Sequence, residues 1–333
     1  MSAAIRRIGV VGGGAWGTTL ALLAARAKLR PTLWVREADV AAAINAGGDN
    51  PFLPGVKLEG GIQASTDFAA LAESDALLLA APAQYLRSVC RSLRPHVRSG
   101  APLAICSKGI EETSGALLSE VVAAEIPSAP IAVLSGPTFA PEIARGLPAA
   151  VTLACKDAEI GRALVEAIGT PTFRPYLSSD IVGAQVGGGV KNVIAIACGI
   201  VAGRKMGDNA RAALVTRGLA EIQRLGRVLQ AQPATLMGLS GLGDLVLTCS
   251  SEQSRNFSLG VALGRGKTTA EVVASRTSVA EGVSTAAAVV RLAARLKIEM
   301  PISAAVDAIV NKGAPIDREI QALLARPFRV EGE

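Results

Sequence analysis

The feature that most constrains the fold of this chain is a glycine-rich turn close to its start. An apolar, strand-like run over 5–11 ends in Gly-Gly-Gly-Ala-Trp-Gly, and an Ala/Leu-rich segment over 18–28 that reads as a helix follows. In this Gly-x-Gly-x-x-Gly setting, Gly12 permits the tight turn, Gly14 lets backbone amides approach a pyrophosphate, and Gly17 allows close helix packing. The pattern predicts a dinucleotide-binding site, although a glycine-rich turn without a ligand would have the same letters.

The residues after this helix bear on the choice of cofactor. The segment over 31–35 indicates a second strand at the spacing that a βαβ unit requires. Arg36 follows it, and an arginine at this point accommodates the ribose 2′-phosphate of NADPH. Glu37 could instead accept a hydrogen bond from the 2′-hydroxyl of NADH, and an exposed Arg-Glu pair at a strand end is often only a solvated loop. The sequence therefore predicts NADPH or NADH as the cofactor and favours NADPH.

Strand-like and helix-like segments alternate up to Asp180, which is the pattern of a mostly parallel sheet. Further apolar runs read as strands over 61–66, 76–81, 102–106, 131–134, 149–154 and 172–177. Helix-like stretches lie over 84–93, 115–125 and 158–168. Beyond Asp180 the chain reads as helices to its end. We predict an α/β fold in which a Rossmann-like, doubly wound domain (1–182) binds NAD(P) and an all-helical domain (183–333) binds substrate and carries the catalytic groups.

Composition disfavours several classes of function. The chain has 34 basic and 28 acidic residues, a formal net charge of +6 and only 3% aromatic residues. Without a basic run or aromatic stacking platforms, we expect no nucleic acid partner, and the positive charge suits anionic metabolites. The single histidine, His96, lies in a segment that looks exposed. This disfavours a zinc site, a Ser-His-Asp triad and a histidine-based dehydrogenase, and we expect no metal.

Cysteine placement and hydropathy bear on the compartment. The five cysteines are scattered, lack CxxC spacing and lie mostly in apolar runs, as expected of free thiols in a reducing cytoplasm. The longest apolar run after the glycine turn, over 193–203, is about half as long as a bilayer span requires. We therefore predict a cytoplasmic protein without an integral membrane segment.

Polar residues follow two later predicted strands, at the edge where open parallel sheets bind ligands. Lys108 follows the strand over 102–106, and Ser-Gly-Pro-Thr-Phe-Ala follows the next strand along the chain. A lysine at such a strand end could hold a carbonyl or phosphate oxygen, and a solvated loop lysine is the alternative. We predict that Lys108, Gly136 and Thr138 contribute to substrate binding.

The helical half carries charge in an apolar setting. The segment over 185–201 is small and apolar almost all round, as in a helix buried on most sides, yet it contains Lys191 and Asn192. A buried ammonium needs a partner, and Asp244 in Gly-Leu-Gly-Asp is the candidate. Such a pair could keep the lysine charged but poised to give up a proton, so we predict a catalytic role for Lys191. The alternative is an interface salt bridge.

A phosphate clamp is predicted further along the chain. Thr248 begins a hydroxyl-rich stretch, and Ser254, Arg255 and Asn256 follow it. A bidentate guanidinium with amide and hydroxyl donors suits a phosphate. Ser-Arg-Asn alone is more typical of a helix cap. The phosphate clamp is favoured here because Lys191 and Asp244 occur in the same half of the chain.

Several short motifs stand in one order along the chain. After the glycine turn they are Lys108-Gly109, Ser-Gly-Pro-Thr-Phe-Ala over 135–140, Val-Lys-Asn-Val over 190–193, Asn-Ala-Arg-Ala-Ala over 209–213, Gly-Leu-Gly-Asp-Leu over 241–245, Ser-Arg-Asn over 254–256 and Glu281-Gly282. In this order they resemble the NAD(P)-dependent glycerol-3-phosphate dehydrogenases, and most of all the bacterial biosynthetic branch. The resemblance implies reversible reduction of dihydroxyacetone phosphate to sn-glycerol 3-phosphate, a precursor of glycerophospholipids.

The resemblance also implies roles for individual residues. Lys191 matches the proton donor and acceptor of the family, Asp244 would orient it, and Lys108 would contact both substrate and cofactor. The other positions that would hold the substrate are Asn192, Thr248, Ser254, Arg255 and Asn256. The positions that match cofactor contacts are Ala15, Trp16, Arg36, Ala140, Val279 and Glu281, together with Arg255.

Two other interpretations stay open. The first is a sister dehydrogenase of the same two-domain type that acts on a 3-hydroxyacid or on ketopantoate. Such an enzyme would require residues that bind a carboxylate, at positions where this chain has the predicted phosphate clamp. A non-catalytic NADP-binding sensor would need no poised lysine. We also expect a homodimer, with which an apolar helical second half is compatible.

Overall fold

The computed structural model describes residues 5–59, 61–274, 280–328 and 330. The chain divides into two compact units. The first comprises Met1–Lys108 and Leu117–Ala184, and the second comprises Gly109–Ala116 and Gln185–Glu333. The chain therefore leaves the first unit after Lys108 for a short excursion and returns to it at Leu117.

The described part of the first unit contains one sheet of eight strands in the order β3-β2-β1-β4-β5-β6-β7-β8. The strands are β1 Arg7–Val11, β2 Arg30–Trp34, β3 Gln63–Ser65, β4 Ala76–Leu79, β5 Leu103–Ile105, β6 Ile131–Ser135, β7 Ala149–Cys155 and β8 Phe173–Ser178. All neighbours pair in parallel except β6 and β7. The order 3-2-1-4-5-6 is that of a doubly wound fold, so the predicted Rossmann-like, mostly parallel sheet is confirmed.

Helices connect the strands of this sheet. They are α1 Ala15–Arg26, α2 Ala38–Asn45, α3 Leu86–Leu93, α4 Leu118–Glu125, α5 Ala140–Ala144 and α6 Ala158–Ile168. α1 starts at Ala15 rather than at residue 18, because Gly14 already has the extended conformation of an N-cap. The stretch predicted as helical over 84–93 begins as a 3-10 turn, Ala83–Tyr85, before α3.

Both faces of the central strands of the sheet are buried under helices, as crossover connections require. Ile8 and Val10 of β1 belong to a core cluster to which α1, α2 and α6 contribute, and Val11 belongs to a second cluster with α3 and α4. Leu78 and Leu79 of β4 divide between the two clusters in the same way. This period of two explains why the central strands are continuous apolar runs in the sequence.

The described residues of the second unit form helices and no strand, as predicted. The helices are α7 Ile181–Gly203, whose first turn lies in the first unit, then α8 Asp208–Val228, α9 Pro233–Leu236, α10 Asp244–Cys249, α11 Arg255–Gly264, α12 Thr269–Ala274, α13 Gly282–Leu296, α14 Pro301–Lys312 and α15 Ile316–Leu324. A π-helical turn, Leu239–Gly243, leads into α10.

The helix α7 has the length and apolar composition of a membrane span. However, 83% of its most apolar window is buried within the structure, and Val186, Val190 and Ile194 have no exposed surface. This is the burial of a core helix. The helix predicted over 185–201 extends in the structure over Ile181–Gly203, and the apolar run over 193–203, from which the sequence judged a membrane span, is only a part of it.

The excursion over 109–116 is held by α13. A guanidinium nitrogen of Arg291 donates to the carbonyl oxygen of Glu112, and Nη1 of Arg295 donates to the carbonyl oxygen of Ser114 at 3.2 Å. Residues 115 and 116 belong to this excursion, so the helix predicted over 115–125 starts only at Leu118.

Candidate active site

Gly14 and Gly17 of the glycine-rich turn between β1 and α1 differ in the space around them. A Cβ atom on Gly17 would lie 1.8 Å from the carbonyl oxygen of Gly12, so the first turn of α1 has no room for a side chain at this position. A Cβ atom on Gly14 would meet no atom within 4 Å. Gly14 is also the N-cap of a 12-residue helix with no acidic residue in its first turn. The turn thus leaves an open approach to a helix N-terminus, which fits the pyrophosphate of a dinucleotide.

Side chains of α1 contact the loops at the carboxyl ends of other strands. Nε1 of Trp16 donates to the carbonyl oxygen of Cys106, just after β5, at 3.1 Å. The hydroxyl of Thr19 lies 2.8 Å from the carbonyl oxygen of Ala15 and 3.2 Å from that of Ala140. The structure therefore brings three predicted cofactor residues, Ala15, Trp16 and Ala140, into one region of the first unit.

Lys108 lies where β5 ends, and the loop after β6 holds its ammonium. Nζ of Lys108 donates to the carbonyl oxygen of Gly136 at 2.7 Å and to Oγ1 of Thr138 at 3.2 Å. The three residues predicted at these two strand ends thus form one cluster. A half-buried lysine with these partners does not fit the alternative of a solvated loop lysine.

Arg36 lies beyond the end of β2, with its guanidinium bound to Glu37. Nε and Nη2 of Arg36 both donate to Oε1 of Glu37, at 3.0 and 2.7 Å, and the Arg36 side chain is 78% exposed. Trp34, the last residue of β2, stacks on Phe68 with a centroid distance of 4.3 Å. Arg36, which the sequence assigns to NADPH, and Glu37, which it assigns to NADH, therefore form an ion pair. The end of β2 beside them is fixed by the stacking of Trp34 on Phe68.

In the second unit, α7 and α10 bring Lys191, Asp244 and Thr248 together. Nζ of Lys191 donates to Oδ1 of Asp244 at 2.5 Å and to Oγ1 of Thr248 at 2.8 Å. The Thr248 hydroxyl donates its one proton to the carbonyl oxygen of Asp244 at 2.6 Å, so it acts as an acceptor toward Lys191. The Lys191 and Asp244 side chains are 7% and 0% exposed. The structure shows the contact that the sequence predicts, whereas the catalytic roles stay predictions.

Glycine allows α7 to approach the segment that carries Asp244. A Cβ atom on Gly187 would lie 2.5 Å from the carbonyl oxygen of Ser240. Gly187 lies one helical turn before Lys191, on the same face of α7. The π-helical turn that contains Ser240 runs directly into α10, so Asp244 is the first residue of that helix. Turns of this kind occur often at functional sites.

The residues of the predicted phosphate clamp begin α11. Oγ of Ser254 accepts a hydrogen bond from the backbone nitrogen of Phe257 at 3.2 Å, so Ser254 is the N-cap of this helix. Oδ1 of Asn256 accepts from the backbone nitrogen of Gly282 at 2.9 Å. Arg255 is exposed. The helix-cap alternative therefore holds for Ser254, and contact of the three residues with a phosphate stays a prediction.

Asn192 and Glu281 lie close to this helix start. A Cβ atom on Gly282 would lie 2.8 Å from the carbonyl oxygen of Asn192 and 2.8 Å from Oδ1 of Asn256. Glu281 is the N-cap of α13. One region of the second unit thus contains predicted substrate and cofactor residues. Val279, the remaining predicted cofactor residue, lies outside the described residues.

Buried thiols in this protein are poor nucleophiles. Burial raises the pKa of the Cys249 thiol well above its ordinary value, and the neighbouring Cys198 thiol raises it further. Burial likewise raises the pKa of the Cys106 thiol. Among the residues described, no group of three or more His, Cys, Asp and Glu side chains could hold a metal. The chemistry that the cluster around Lys191 suits is proton transfer by an ammonium.

Two other features were not anticipated from the sequence. Asn50, in the loop after α2, donates from Nδ2 to the carbonyl oxygen of Gly13 at 2.8 Å. No spacing rule marks a loop asparagine so far along the chain from the glycine turn. The second unit also has an apolar cavity of about 520 Å³ between α7, α8, α14 and α15. Its described lining contains neither Lys191 nor Asp244, so we do not assign the substrate to it.

Comparison with known proteins matches both units to one family. A family model described as NAD-dependent glycerol-3-phosphate dehydrogenase N-terminus matches residues 7–161, and the corresponding C-terminus model matches residues 180–321. A glycerol-3-phosphate dehydrogenase (NAD(P)+) from Rhodospirillum rubrum is 59% identical over 334 residues, which cover 100% of this chain and 96% of that protein.

Solved structures agree with this match. The crystal structure of a glycerol-3-phosphate dehydrogenase from Coxiella burnetii has a TM-score of 0.93 at 38% identity and covers 97% of this chain and 99% of that chain. A ketopantoate reductase from Ralstonia eutropha has a TM-score of 0.61 at 15% identity, covering 94% of this chain and 99% of that chain. At this identity the second likeness shows the fold alone.

Proposed function

Because the chain belongs to the NAD-dependent glycerol-3-phosphate dehydrogenase family, we propose that it catalyses the reversible, NAD(P)H-dependent reduction of dihydroxyacetone phosphate to sn-glycerol 3-phosphate. The observation that carries this proposal is the buried pair of Lys191 and Asp244. Reduction of a ketone requires a proton for the carbonyl oxygen, and a buried ammonium held by a carboxylate is suited to supply it.

Each member of the lysine cluster has a task in this reaction. When bound, the nicotinamide supplies the hydride that reduces the ketone carbon. Lys191 stabilises the negative charge that grows on the carbonyl oxygen and donates a proton to it from Nζ. Asp244 and Thr248 fix that nitrogen, because both accept hydrogen bonds from it. In the reverse direction, Lys191 accepts the proton of the substrate hydroxyl.

The substrate phosphate is assigned to the start of α11. Arg255 brings a guanidinium to this helix N-terminus, Asn256 adds a side-chain amide, and the backbone of Asn192 lies close to Gly282 beside it. A helix N-terminus with a guanidinium favours a dianionic phosphate over a neutral hydroxyl. Ser254 caps the helix and so fixes the direction of its first turn. In the first unit, the resemblance gives Lys108 a contact with substrate and cofactor, and its ammonium is held by Gly136 and Thr138.

The two parts of the chain take different ligands in this proposal. Residues 1–182 bind the dinucleotide, with its pyrophosphate on the turn from Gly12 to Gly17, and residues 183–333 bind the substrate and carry the proton-transfer group. The open approach at Gly14 supports the first assignment. The product would supply glycerophospholipid synthesis, and we propose a cytoplasmic homodimer as the working form.

NADPH is the preferred cofactor in this proposal, and the pair of Arg36 and Glu37 supports a direct test. A 2′-phosphate has to compete with Glu37 for the Arg36 guanidinium, because both of its described hydrogen bonds go to that carboxylate. Glu37→Gln is therefore expected to strengthen the preference for NADPH, and Arg36→Gln to weaken it. The measurement is the ratio of kcat/KM for NADPH and NADH in each variant.

The test of the reaction follows the oxidation of NADPH and NADH by the purified protein in parallel, with dihydroxyacetone phosphate as substrate. Unphosphorylated dihydroxyacetone is the matched control for the phosphate. We expect oxidation that depends on the phosphate. Folded protein that binds NADPH but oxidises neither cofactor would overturn the proposal. Turnover of ketopantoate or of a 3-hydroxyacid would then identify a sister dehydrogenase, and binding without any turnover would identify a sensor.

A further inference from the structure

Asn50 is a polar side chain with no exposed surface that lies against the glycine-rich turn. It belongs to the loop after α2, and all of its side-chain polar atoms have partners. Nδ2 donates to the carbonyl oxygen of Gly13 at 2.8 Å and to Oγ1 of Thr18 at 2.7 Å, and Oδ1 accepts from the backbone nitrogen of Phe52 at 2.9 Å. An amide with these three partners has one orientation only, because a flipped amide would set its oxygen against the carbonyl oxygen of Gly13.

Thr18 closes a small network around the same carbonyl group. Its hydroxyl accepts from Asn50 and donates to the carbonyl oxygen of Gly13 at 3.3 Å. Thr18 lies on the first turn of α1 and, like Asn50, has no exposed surface. The carbonyl of Gly13 is therefore held from two sides inside the protein, although the glycine itself has few steric limits on its backbone angles.

Holding this carbonyl also sets the direction of the next amide. The carbonyl oxygen of Gly13 and the N–H of Gly14 belong to one planar trans peptide, in which the two groups point in opposite directions. With the oxygen anchored on Asn50 in the interior, the N–H of Gly14 is directed away from it. Gly14 is the glycine of this turn around which a side chain would meet no atom within 4 Å.

We propose that Asn50 is a positioning residue for the dinucleotide, which acts through the Gly13 carbonyl to aim the Gly14 N–H at the pyrophosphate. The inference rests on the dinucleotide site of the proposed function and adds to it a residue outside the glycine motif. Because the amide is oriented before the ligand arrives, binding does not have to order the turn, and affinity for the pyrophosphate is higher.

The test substitutes Asn50 and measures binding directly by calorimetry. Asn50→Asp keeps the shape but places carboxylate oxygens against the oxygens of Gly13 and Thr18. Asn50→Ala removes the anchor without this repulsion, so it keeps the test valid if the aspartate variant does not fold. The ligands are NADP+, which contains the pyrophosphate, and adenosine 2′-monophosphate, which lacks it. We expect Kd for NADP+ to rise about tenfold or more, the effect of one well-placed hydrogen bond, with little change for the monophosphate.

Asn45 provides the matched control. It is an asparagine of the same unit whose side chain makes two hydrogen bonds of 2.8 Å with the backbone of Ala64, so it holds a strand and not the glycine turn. Asn45→Asp is expected to lower the melting temperature and to leave both dissociation constants unchanged. For the Asn50 variants, turnover should show a raised KM for NADPH and a nearly unchanged kcat at saturation.

Three results would overturn the inference. They are wild-type affinity for NADP+ in both Asn50 variants, an equal loss for the ligand without pyrophosphate, and an equal loss in Asn45→Asp. Failure of the proposed function would look different, because the wild-type protein would bind NADP+ and yet not reduce dihydroxyacetone phosphate. The binding measurement therefore tests Asn50 whatever the substrate is.

Discussion

The Nζ atom of Lys191 lies 2.5 Å from Oδ1 of Asp244, and both side chains are almost excluded from solvent. The two residues are 53 positions apart in the chain. An ammonium in this environment is costly without a counter-charge, and the same holds for the carboxylate. Removing either residue would therefore leave the other as an unpaired buried charge and destabilise the protein. This loss of stability has to be measured separately from any loss of catalysis.

Replacing Lys191 by methionine tests the catalytic role. We expect kcat to fall by about 10²–10⁴-fold, the usual contribution of a general acid, while affinity for NADP+ changes little. Lys312→Met is the matched control, because Lys312 is also a helical lysine of this unit that pairs with a buried carboxylate, Asp307, at 2.7 Å. A Lys191→Met variant that keeps the wild-type rate would exclude proton transfer by this residue.

The stability of the same variants tests the pair itself. Lys191→Met alone leaves the Asp244 carboxylate buried without its cation, and breaking a buried pair in this way costs about 3–5 kcal/mol. The double variant Lys191→Met/Asp244→Asn removes both charges, so we expect it to recover much of the lost free energy of unfolding but none of the activity. Urea unfolding of the three proteins measures this, and equal stability of the single and double variants would contradict it.

Thr248 tests the orientation of the ammonium. Thr248→Val keeps the shape and removes the acceptor that lies 2.8 Å from Nζ of Lys191. We expect kcat of Thr248→Val to fall by about tenfold, because one hydrogen bond is lost in the transition state. Thr248→Ser keeps the hydroxyl and should be close to wild type. Thr216→Val is the control, since that hydroxyl also bonds the carbonyl four residues back, at 3.1 Å, but on an exposed part of α8. Equal kinetic effects of the two valine substitutions would mean that Thr248 has no specific role.

The sequence was most informative where one physical rule decides the structure. Each of the eight strands was predicted. The central ones are the clearest, because they are buried on both faces and are continuous apolar runs, whereas β2, β3 and β8 contain polar and exposed residues. The contact of Lys191 with Asp244 was also predicted, because a lysine in an apolar helix needs a counter-charge. Asn50 could not be predicted, since its role depends on where a loop packs and not on its neighbours in sequence. The same applies to the π-helical turn before Asp244, which no local pattern specifies.

Two glycines of the turn are expected to respond differently to alanine. Gly14→Ala meets no atom within 4 Å, so the fold should tolerate it, whereas Gly17→Ala would put a carbon 1.8 Å from the carbonyl oxygen of Gly12. We expect Gly14→Ala to keep the wild-type melting temperature and to bind NADP+ at least about tenfold more weakly, because the methyl group occupies the approach to the helix N-terminus. Gly17→Ala should lose stability. Unchanged NADP+ affinity in folded Gly14→Ala would place the pyrophosphate elsewhere.

Glu221 on α8 should make the stability of the protein depend on pH. Its carboxylate accepts hydrogen bonds from the backbone nitrogens of Ile302 and Ser303 at the start of α14. Burial raises its pKa above the ordinary 4.5, although these hydrogen bonds oppose the shift. The folded protein therefore holds this proton more tightly than the unfolded chain.

A carboxyl group of this kind contributes stability that is fully present below pH 4.5 and is lost as the pH rises through its folded pKa. We expect the free energy of unfolding of the wild type to fall relative to that of Glu221→Gln as the pH rises from 4.5 toward neutrality, by about 1.4 kcal/mol for each unit of pKa shift. Urea unfolding across this range measures the difference, with Glu319→Gln on α15 as the control for loss of one negative charge. Parallel profiles of wild type and Glu221→Gln would show that the carboxyl group has the same pKa in the folded and unfolded protein.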